Sequence, residues 1–337
     1  MTIKVLIPLI CVGVMLSASG CSMHRPHEKR MVHEAPVVGP EHFRIYDGEG
    51  RTATMADLVQ AAGNADVVFI GEEHDDPAAH YLERELLERL TNAVRPDSQP
   101  EAGRPVILSM EMFERDVQTV VEEYLADLIT ERHFLKAARP WPAYRNDYRP
   151  MVEFAKAGGI PVIAANAPGR YVNRVARLGR ASLAALPPES MVWLPPLPYG
   201  EPSPRYREKF ENFMAAVRKT GTPHGPADEA EAPTAEARQA EIDAAARMMD
   251  AQSLWDAGMA WSLAEALEEH PGALAVHVNG KFHSASGLGI PEHLKRYRPD
   301  LFSLTVTILS LDAFPDFDPA AAGAGDFVII TDPSLKR

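Results

Sequence analysis

Length, composition and charge place this chain among ordinary globular proteins. It has 337 residues, 46% of them apolar and 24% charged, which is enough for one large core or two small ones. This composition excludes a chain that is mainly disordered. The net charge of −13 disfavours contact with polyanions, so we expect no nucleic acid as a partner.

The N-terminus has the pattern of an export signal. An apolar run over residues 5–16 has the length of a signal sequence and is too short to span a bilayer. Small residues then precede Cys21, and this arrangement resembles a bacterial lipobox, in which the cysteine is lipidated after cleavage. We therefore predict a lipoprotein signal peptide over 1–20, lipidation at Cys21 and a tether over 21–45. Plain secretion after cleavage nearby is the alternative.

These features predict where the protein is found. A lipidated Cys21 would anchor an exported soluble domain to a membrane of the bacterial cell envelope. Ser22 replaces the aspartate associated with inner-membrane retention, which favours the outer membrane. The only other cysteine, Cys11, would leave with the signal, so the mature chain has neither a disulfide nor a cysteine metal site.

Short apolar runs alternate with helical patterns in the rest of the chain. The runs are continuous, which is typical of strands buried on both faces. Asp76 and Pro77 are suited to begin a helix over 77–94. The order predicts an α/β fold with a mostly parallel sheet and flanking helices. The six predicted strands are Val67–Ile70, Pro105–Met110, Ile160–Ala165, Leu274–Val278, Leu304–Leu309 and Phe327–Ile330.

A different composition interrupts this alternation. Ten prolines fall within residues 187–233, and a long helical pattern follows from about Ala235 to Glu269. We predict an inserted, mainly helical subdomain over 183–265. It would divide the α/β domain into a first part over 46–182 and a second part over 266–337.

One short motif, Gly-x-x-His, occurs twice. Gly71 and His74 form the first copy, Gly280 and His283 the second, and each copy directly follows an apolar run. A glycine allows the chain to leave a strand sharply, so each histidine would lie just beyond a strand end. Ligands bind at the carboxyl edge of parallel sheets. We predict a shared functional edge formed by His74, Glu111, Asn166 and His283.

These residue types permit two kinds of chemistry. His74, Glu111 and His283 could hold a divalent metal ion and leave a position open for water, as in a metal-dependent hydrolase. A glutamate–histidine pair without metal could act as a general base. The three residues would be catalytic only if the protein is a hydrolase. A structural role for each histidine alone is the simpler alternative.

Several short motifs follow one another in a characteristic order along the chain. They are Val68–Asp75 with His80, Glu111–Arg115 with Gln118, Trp141 with Tyr144, Asn166–Pro168, Gln252–Ala260, Gly280–His283 and Gly289–Pro291. As an ordered set, over roughly residues 43–310, they resemble the motifs of the ChaN-like haem-binding lipoproteins, which are related to the TIKI, TraB and erythromycin-esterase proteins.

The resemblance implies a protein that binds haem non-covalently in iron uptake. It implies a tyrosine as the haem ligand and haem held as a pair in a homodimer. Tyr206, between Arg205 and Arg207, is our first choice of ligand because the arginines could pair with haem propionates. Tyr199 and His224 are alternatives.

Two polar residues of the long helix are further candidates for haem binding. Gln252 and Asp256 lie one turn apart on the same helix face, so we expect both at the junction with the helical subdomain. A structural hydrogen-bond network is the alternative role.

Two functions therefore compete. The first is haem capture by a membrane-anchored lipoprotein, and the second is metal-dependent hydrolysis of the protease or esterase type. A purely structural or chaperone role would require an exposed apolar face without converging polar groups, which the strand-end pattern argues against.

Overall fold

The computed structural model describes residues 36–95, 103–220 and 234–336. Eight strands form one sheet in the order β2-β1-β8-β7-β3-β6-β4-β5. Their bounds are β1 Phe43–Asp47, β2 Thr52–Ala53, β3 Val67–Glu72, β4 Val106–Glu114, β5 Val162–Asn166, β6 Leu274–Gly280, β7 Ser303–Ser310 and β8 Phe327–Thr331.

The sheet is parallel from β8 to β5 and antiparallel at its other edge. All pairings among the six strands from β3 to β8 are parallel, as the alternation of strand and helix patterns predicts. Strand β1 pairs antiparallel with β8, and β2 pairs antiparallel with β1. These two antiparallel strands were not among the six predicted runs.

Helices cover both faces of the sheet and connect the strands. Their bounds are α1 Met55–Ala62, α2 Pro77–Val94, α3 Gln118–Leu125, α4 Glu131–Ala137, α5 Tyr144–Asp147, α6 Arg149–Ala157, α7 Gly169–Leu178, α8 Pro188–Met191, α9 Pro204–Thr220, α10 Ala235–Glu269 and α11 Ile290–Tyr297. None of the helices in the described ranges is both long and apolar enough to cross a bilayer.

Helix α2 begins where its sequence indicates. Asp76 accepts a hydrogen bond from the backbone N–H of Ala78, and Pro77 occupies the first helical position, where no N–H is needed. Its four leucines lie on one side of the helix and are fully buried against the sheet: Leu82, Leu86, Leu87 and Leu90.

The core lies on both faces of the sheet. Along β3, Val68 and Ile70 join the cluster beneath α2, whereas Val67 and Phe69 join the cluster beneath α10 and α11. This alternation follows from the two-residue period of a strand. All four side chains are fully buried, which explains why the run is continuously apolar.

The segment between β5 and β6 is mainly helical. It contains α7, α8, α9 and α10, and α10 packs against α7, α11 and β5. The C-terminal half of α10 is buried against the sheet, which brings the side chains of residues 252–263 toward the strand ends.

Candidate functional site

Three of the predicted residues come together at the carboxyl ends of adjacent strands. His74 follows β3, Glu111 lies in β4, and His283 follows β6, which runs between the other two. We call these three residues the rim. The three residues come from separate regions of the sequence. They lie close together because β6 pairs in parallel with both β3 and β4, which places the carboxyl ends of these strands side by side.

Gly280 is the point where the three rim residues meet. Its N–H donates to Glu111 Oε2 at 2.7 Å. A Cβ at this position would lie only 2.7 Å from His74 Cε1, so a larger residue would displace the imidazole. The Nε2 of His283 lies 3.5 Å from Glu111 Oε1. The glycine of the second motif therefore makes room for the histidine of the first.

Each rim histidine is oriented by a carboxylate. His74 Nδ1 donates to Glu72 Oε1, and His283 Nδ1 donates to Asp256 Oδ1 at 2.6 Å. In both rings Nδ1 is hydrogen-bonded to a carboxylate, so Nε2 is the nitrogen that could bind a metal ion or a proton at the rim. Paired carboxylates of this kind fix the tautomer and orientation of metal-binding or base histidines.

These carboxylates also set the charge of the rim. Burial opposes a charged His74, yet the charge and hydrogen bond of Glu72 outweigh it and raise its pKa to about 9. For His283, burial is likewise outweighed by Glu111 and Asp256, which raise its pKa. In both rings the neighbouring acidic groups therefore favour the protonated form of the imidazole.

A second group of polar residues lies directly beneath His74. Glu72, His80 and Glu83 are buried, and we call them the inner cluster. His80 Nδ1 lies 3.4 Å from Glu83 Oε2, and Tyr148 donates to Glu72 Oε1 at 3.1 Å. Burial raises the pKa of Glu83 to about 7.

The predicted metal ligands are not the tightest group of donors. Among the described residues, the set of three whose ligand atoms all lie within 4.8 Å of one another is the inner cluster. His74, Glu111 and His283 are adjacent but more widely spaced. The physical reason is that Gly280 lies between His74 and Glu111 and holds their side chains apart.

Asn166 is the last residue of β5, at the same edge of the sheet and on the strand next to β4. It is buried, and its Oδ1 has no hydrogen-bond partner in the described part of the chain. The neighbouring acidic residue Glu73 is also outside the rim, because it forms ion pairs with Lys281 and Lys336. The structure thus places Asn166 on the predicted edge but outside the contacts that join the rim.

The tyrosines that the sequence favours as haem ligands are buried. Tyr206 is 1% exposed and donates to Asp256 Oδ2, and Tyr199 is 3% exposed and donates to the backbone oxygen of Asp250 at 2.8 Å. Arg207, expected to pair with a propionate, instead lies 3.1 Å from Glu201. In this arrangement neither phenol oxygen can reach a ligand at the surface.

Other predicted residues have structural partners or lie outside the described ranges. Gln252 Nε2 lies 3.3 Å from His283 Nδ1, so Gln252 and Asp256 both contact the rim. The haem candidate His224 and the lipidation candidate Cys21 lie outside the described residues.

One tyrosine that the sequence interpretation missed is accessible. Among the described residues, Tyr81 is the only tyrosine with more than a third of its surface exposed, at 38%. It follows His80 on α2, off the leucine stripe, and this position signals an outward-facing side chain. It lines a groove of about 670 Å³ together with Pro40, Phe43, Arg44, Met55 and Arg89.

Comparison with known proteins gives one family and a related fold. The sequence model of a family described as haem-binding uptake, Tiki superfamily, ChaN, matches residues 58–294. The solved structure titled "Cofacial heme binding to ChaN of Campylobacter jejuni" superposes with a TM-score of 0.62 at 14% identity, over 88% of this chain and 100% of that chain. At this identity the likeness establishes the α/β fold. No curated protein sequence matches significantly.

Two further structures are more distant. The type III effector HopBA1 has a TM-score of 0.44 at 14% identity, over 88% of this chain and 99% of its own. A Bacillus cereus protein has a TM-score of 0.41 at 12% identity, over 86% and 95%. With TM-scores below 0.5, neither likeness carries an argument.

Proposed function

This chain belongs to the ChaN family of haem-binding uptake proteins in the Tiki superfamily, and from that premise we propose that it binds haem in the bacterial cell envelope. The observation that carries the proposal is the family match over residues 58–294, most of the folded chain. Haem or iron acquisition is the role that such binding would serve. The C. jejuni protein of the same fold is described as binding haem cofacially, which supports haem held between two copies of this chain.

The groove beside Tyr81 is our candidate for the haem site. Tyr81 would hold the iron of a bound ferric haem, because an anionic phenolate suits ferric iron. Tyr81 supplies an accessible phenol at the wall of a groove of about 670 Å³. Phe43 and Met55 give that wall apolar surface, and Arg44 brings a guanidinium group that could pair with a propionate, whereas Arg89 is already paired with Glu85 at 2.6 Å.

Membrane attachment would come from the N-terminus. The small residues before Cys21 support lipidation there, and the polar residues that follow would tether the domain to the membrane, with the outer membrane favoured. Mass spectrometry of the protein purified from membranes tests this step. An unmodified Cys21 would exclude the anchor.

A haemin titration of the purified protein, followed by absorbance, tests haem binding and the ligand together. We expect a saturable Soret shift that Tyr81→Phe weakens at least tenfold, with loss of the tyrosinate charge-transfer band. Tyr206→Phe is the matched control and should leave the band unchanged. Loss of the band in Tyr206→Phe but not in Tyr81→Phe would identify Tyr206 on α9, and not Tyr81, as the haem ligand. Absence of a saturable shift would refute haem binding.

The geometry of the rim favours a second candidate function, metal-dependent hydrolysis. The specific observation is that Glu72 and Asp256 each orient a rim histidine through Nδ1. His74 and His283 would hold the ion through Nε2 with Glu111, and the ion would supply an activated water. The residues fit this role, because imidazole and carboxylate donors face one another there.

Hydrolysis of a small activated ester in the presence of Zn²⁺ or Mn²⁺ tests this function. His283→Gln should abolish the metal-dependent rate. His277→Gln, which changes a buried histidine paired with Ser109 away from the rim, should retain it. A rate that is independent of metal or unchanged in His283→Gln would exclude hydrolysis at the rim.

A further inference from the structure

The inner cluster is built like a binding site for a cation, although it lies beneath the surface. Glu72 is 1% exposed, Glu83 is 0% exposed and His80 is 6% exposed. They come from β3 and the first turns of α2, so both the sheet and the helix hold them in place. Their ligand atoms all lie within 4.8 Å of one another.

Both carboxylates of the inner cluster have an oxygen without a partner. Glu72 Oε1 accepts from His74 and Tyr148, but Glu72 Oε2 has no hydrogen-bond partner among the described residues. Glu83 Oε1 is likewise without one, whereas Glu83 Oε2 faces His80. Buried carboxylate oxygens are costly to leave unpaired, so two in one cluster indicate a group that binds between them.

His80 is oriented for the same centre. Its Nε2 lies 3.3 Å from the backbone oxygen of His74 and 3.7 Å from Asp147 Oδ2. Two acceptors on that side hold a proton on Nε2, so Nδ1, which faces Glu83, is the nitrogen that a cation would bind in place of its proton. A metal-binding histidine is held in this way, with its other nitrogen donating to a carbonyl or a carboxylate.

The geometry points to a divalent transition-metal site formed by Glu72, His80 and Glu83, separate from the rim. His80 Nδ1 and Glu83 Oε2 are 3.4 Å apart, the separation that two ligands reach when each lies about 2.0–2.2 Å from a tetrahedral ion. One imidazole and two carboxylates suit Zn²⁺ or Mn²⁺ better than Ca²⁺, which takes six or more oxygen ligands.

The charge of the surroundings agrees with this site. Asp147 is a third buried carboxylate beside His80, and Glu111 stands at the rim above. Protonated His74 and His80 can offset at most two of these acidic groups, and a dication at the inner cluster would offset the others. The bound ion would link β3, through Glu72, to α2, through His80 and Glu83. It would thereby hold Glu72 in the position from which it orients His74.

Metal analysis of the haem-free protein tests the site. The protein is incubated with Zn²⁺ alone or Mn²⁺ alone, dialysed, and analysed by elemental mass spectrometry. We expect about one tightly held equivalent, which Glu83→Gln and His80→Gln reduce at least tenfold. Two matched controls should retain it: His283→Gln removes a rim ligand, and His293→Gln changes a buried histidine that contacts Ser253.

A second measurement needs no variant. X-ray absorption of the zinc-loaded wild-type protein should show one imidazole among the ligands, whereas an ion at the rim would show two. Metal lost in His283→Gln and kept in Glu83→Gln, two imidazoles, or no stoichiometric metal would each overturn the inner site. The same samples titrated with haemin report on the proposed function separately, because haem binding can fail while the metal is retained.

Discussion

Asp256 Oδ1 accepts a hydrogen bond from His283 Nδ1 at 2.6 Å, although the two residues lie on different elements, α10 and the turn after β6. The other oxygen of Asp256 accepts from Tyr206 on α9. One buried carboxylate therefore connects two helices of the segment between β5 and β6 to the rim. The packing of these two helices against the sheet therefore determines whether the Asp256 carboxylate reaches His283.

Replacing Asp256 by Asn should lower the free energy of unfolding by about 1–3 kcal/mol. The side chain is 0% exposed, so both of its hydrogen bonds lose the contribution of a buried charge. Chemical denaturation measures the change. The control is Asp250→Asn on the same helix, which is partly exposed and lies 3.8 Å from Arg180. A loss of similar size in the control would contradict the argument.

His277 should make the protein less stable in mild acid. It is fully buried, and burial lowers its pKa to about 3. In the unfolded chain a histidine titrates near 6.5. Between these values the unfolded state binds more protons, so the free energy of unfolding falls as the pH drops below about 6.5, by about 1.4 kcal/mol per unit for this group.

The variant His277→Gln should remove that part of the pH dependence. Denaturation at pH 6 and pH 5 measures the difference in slope from the wild type. Ser109→Ala is the control, because it removes the partner 2.8 Å from His277 Nδ1 but leaves the titrating group. The inner-cluster and rim histidines with raised pKa values lose stability only above pH 6.5, so they do not contribute in this window. Equal slopes in His277→Gln and the wild type would refute the assignment.

Asp76 should couple the start of α2 to β8. Its Oδ1 accepts from the Ala78 N–H at 2.9 Å, and its Oδ2 accepts from the Thr331 hydroxyl at 2.5 Å. We expect Asp76→Ala to cost about 2–3 kcal/mol of unfolding free energy and Thr331→Val about 1 kcal/mol. A double-mutant cycle should show that the double variant loses less than the sum of the two. Strict additivity would mean that the bond contributes nothing.

Arg104 should be a main stabiliser of the amino ends of β4 and β6. Its guanidinium donates to four backbone oxygens and to the carboxylate of Asp66, the four oxygens being those of Gly63, Ala65, Gly272 and Ala273. Arg104→Met should lower the free energy of unfolding by about 2–3 kcal/mol. Arg104→Lys should regain only part of it, because an ammonium lacks the planar fork.

A matched surface substitution serves as the control for Arg104. Arg51 is 73% exposed on its side chain and pairs with Asp47 at 2.6 Å. Arg51→Met should change stability by less than about 0.5 kcal/mol, since exposed ion pairs contribute little. Comparable losses in the two methionine variants would show that Arg104 acts only as surface charge.

The parts of the fold that depend on local pattern were predictable. Helix α2 spans Pro77–Val94 as predicted, because its cap, its proline and its leucine stripe are all encoded within those residues. The six buried parallel strands were found because a strand covered on both faces is continuously apolar. Strands β1 and β2 were missed, because β1 includes charged residues and its pairing with β8 joins segments about 285 residues apart in sequence.

The sequence by itself determined that His74, Glu111 and His283 lie at or near the carboxyl ends of strands, because each stands next to an apolar run. Only the tertiary structure decided their neighbours. Asp256 reaches His283 because α10 docks on the sheet, and that docking depends on apolar contacts from many separate segments. Tyr206 is buried and Tyr81 exposed for the same reason: which side of a helix is covered is decided by the elements that pack against it, and these are distant in the chain.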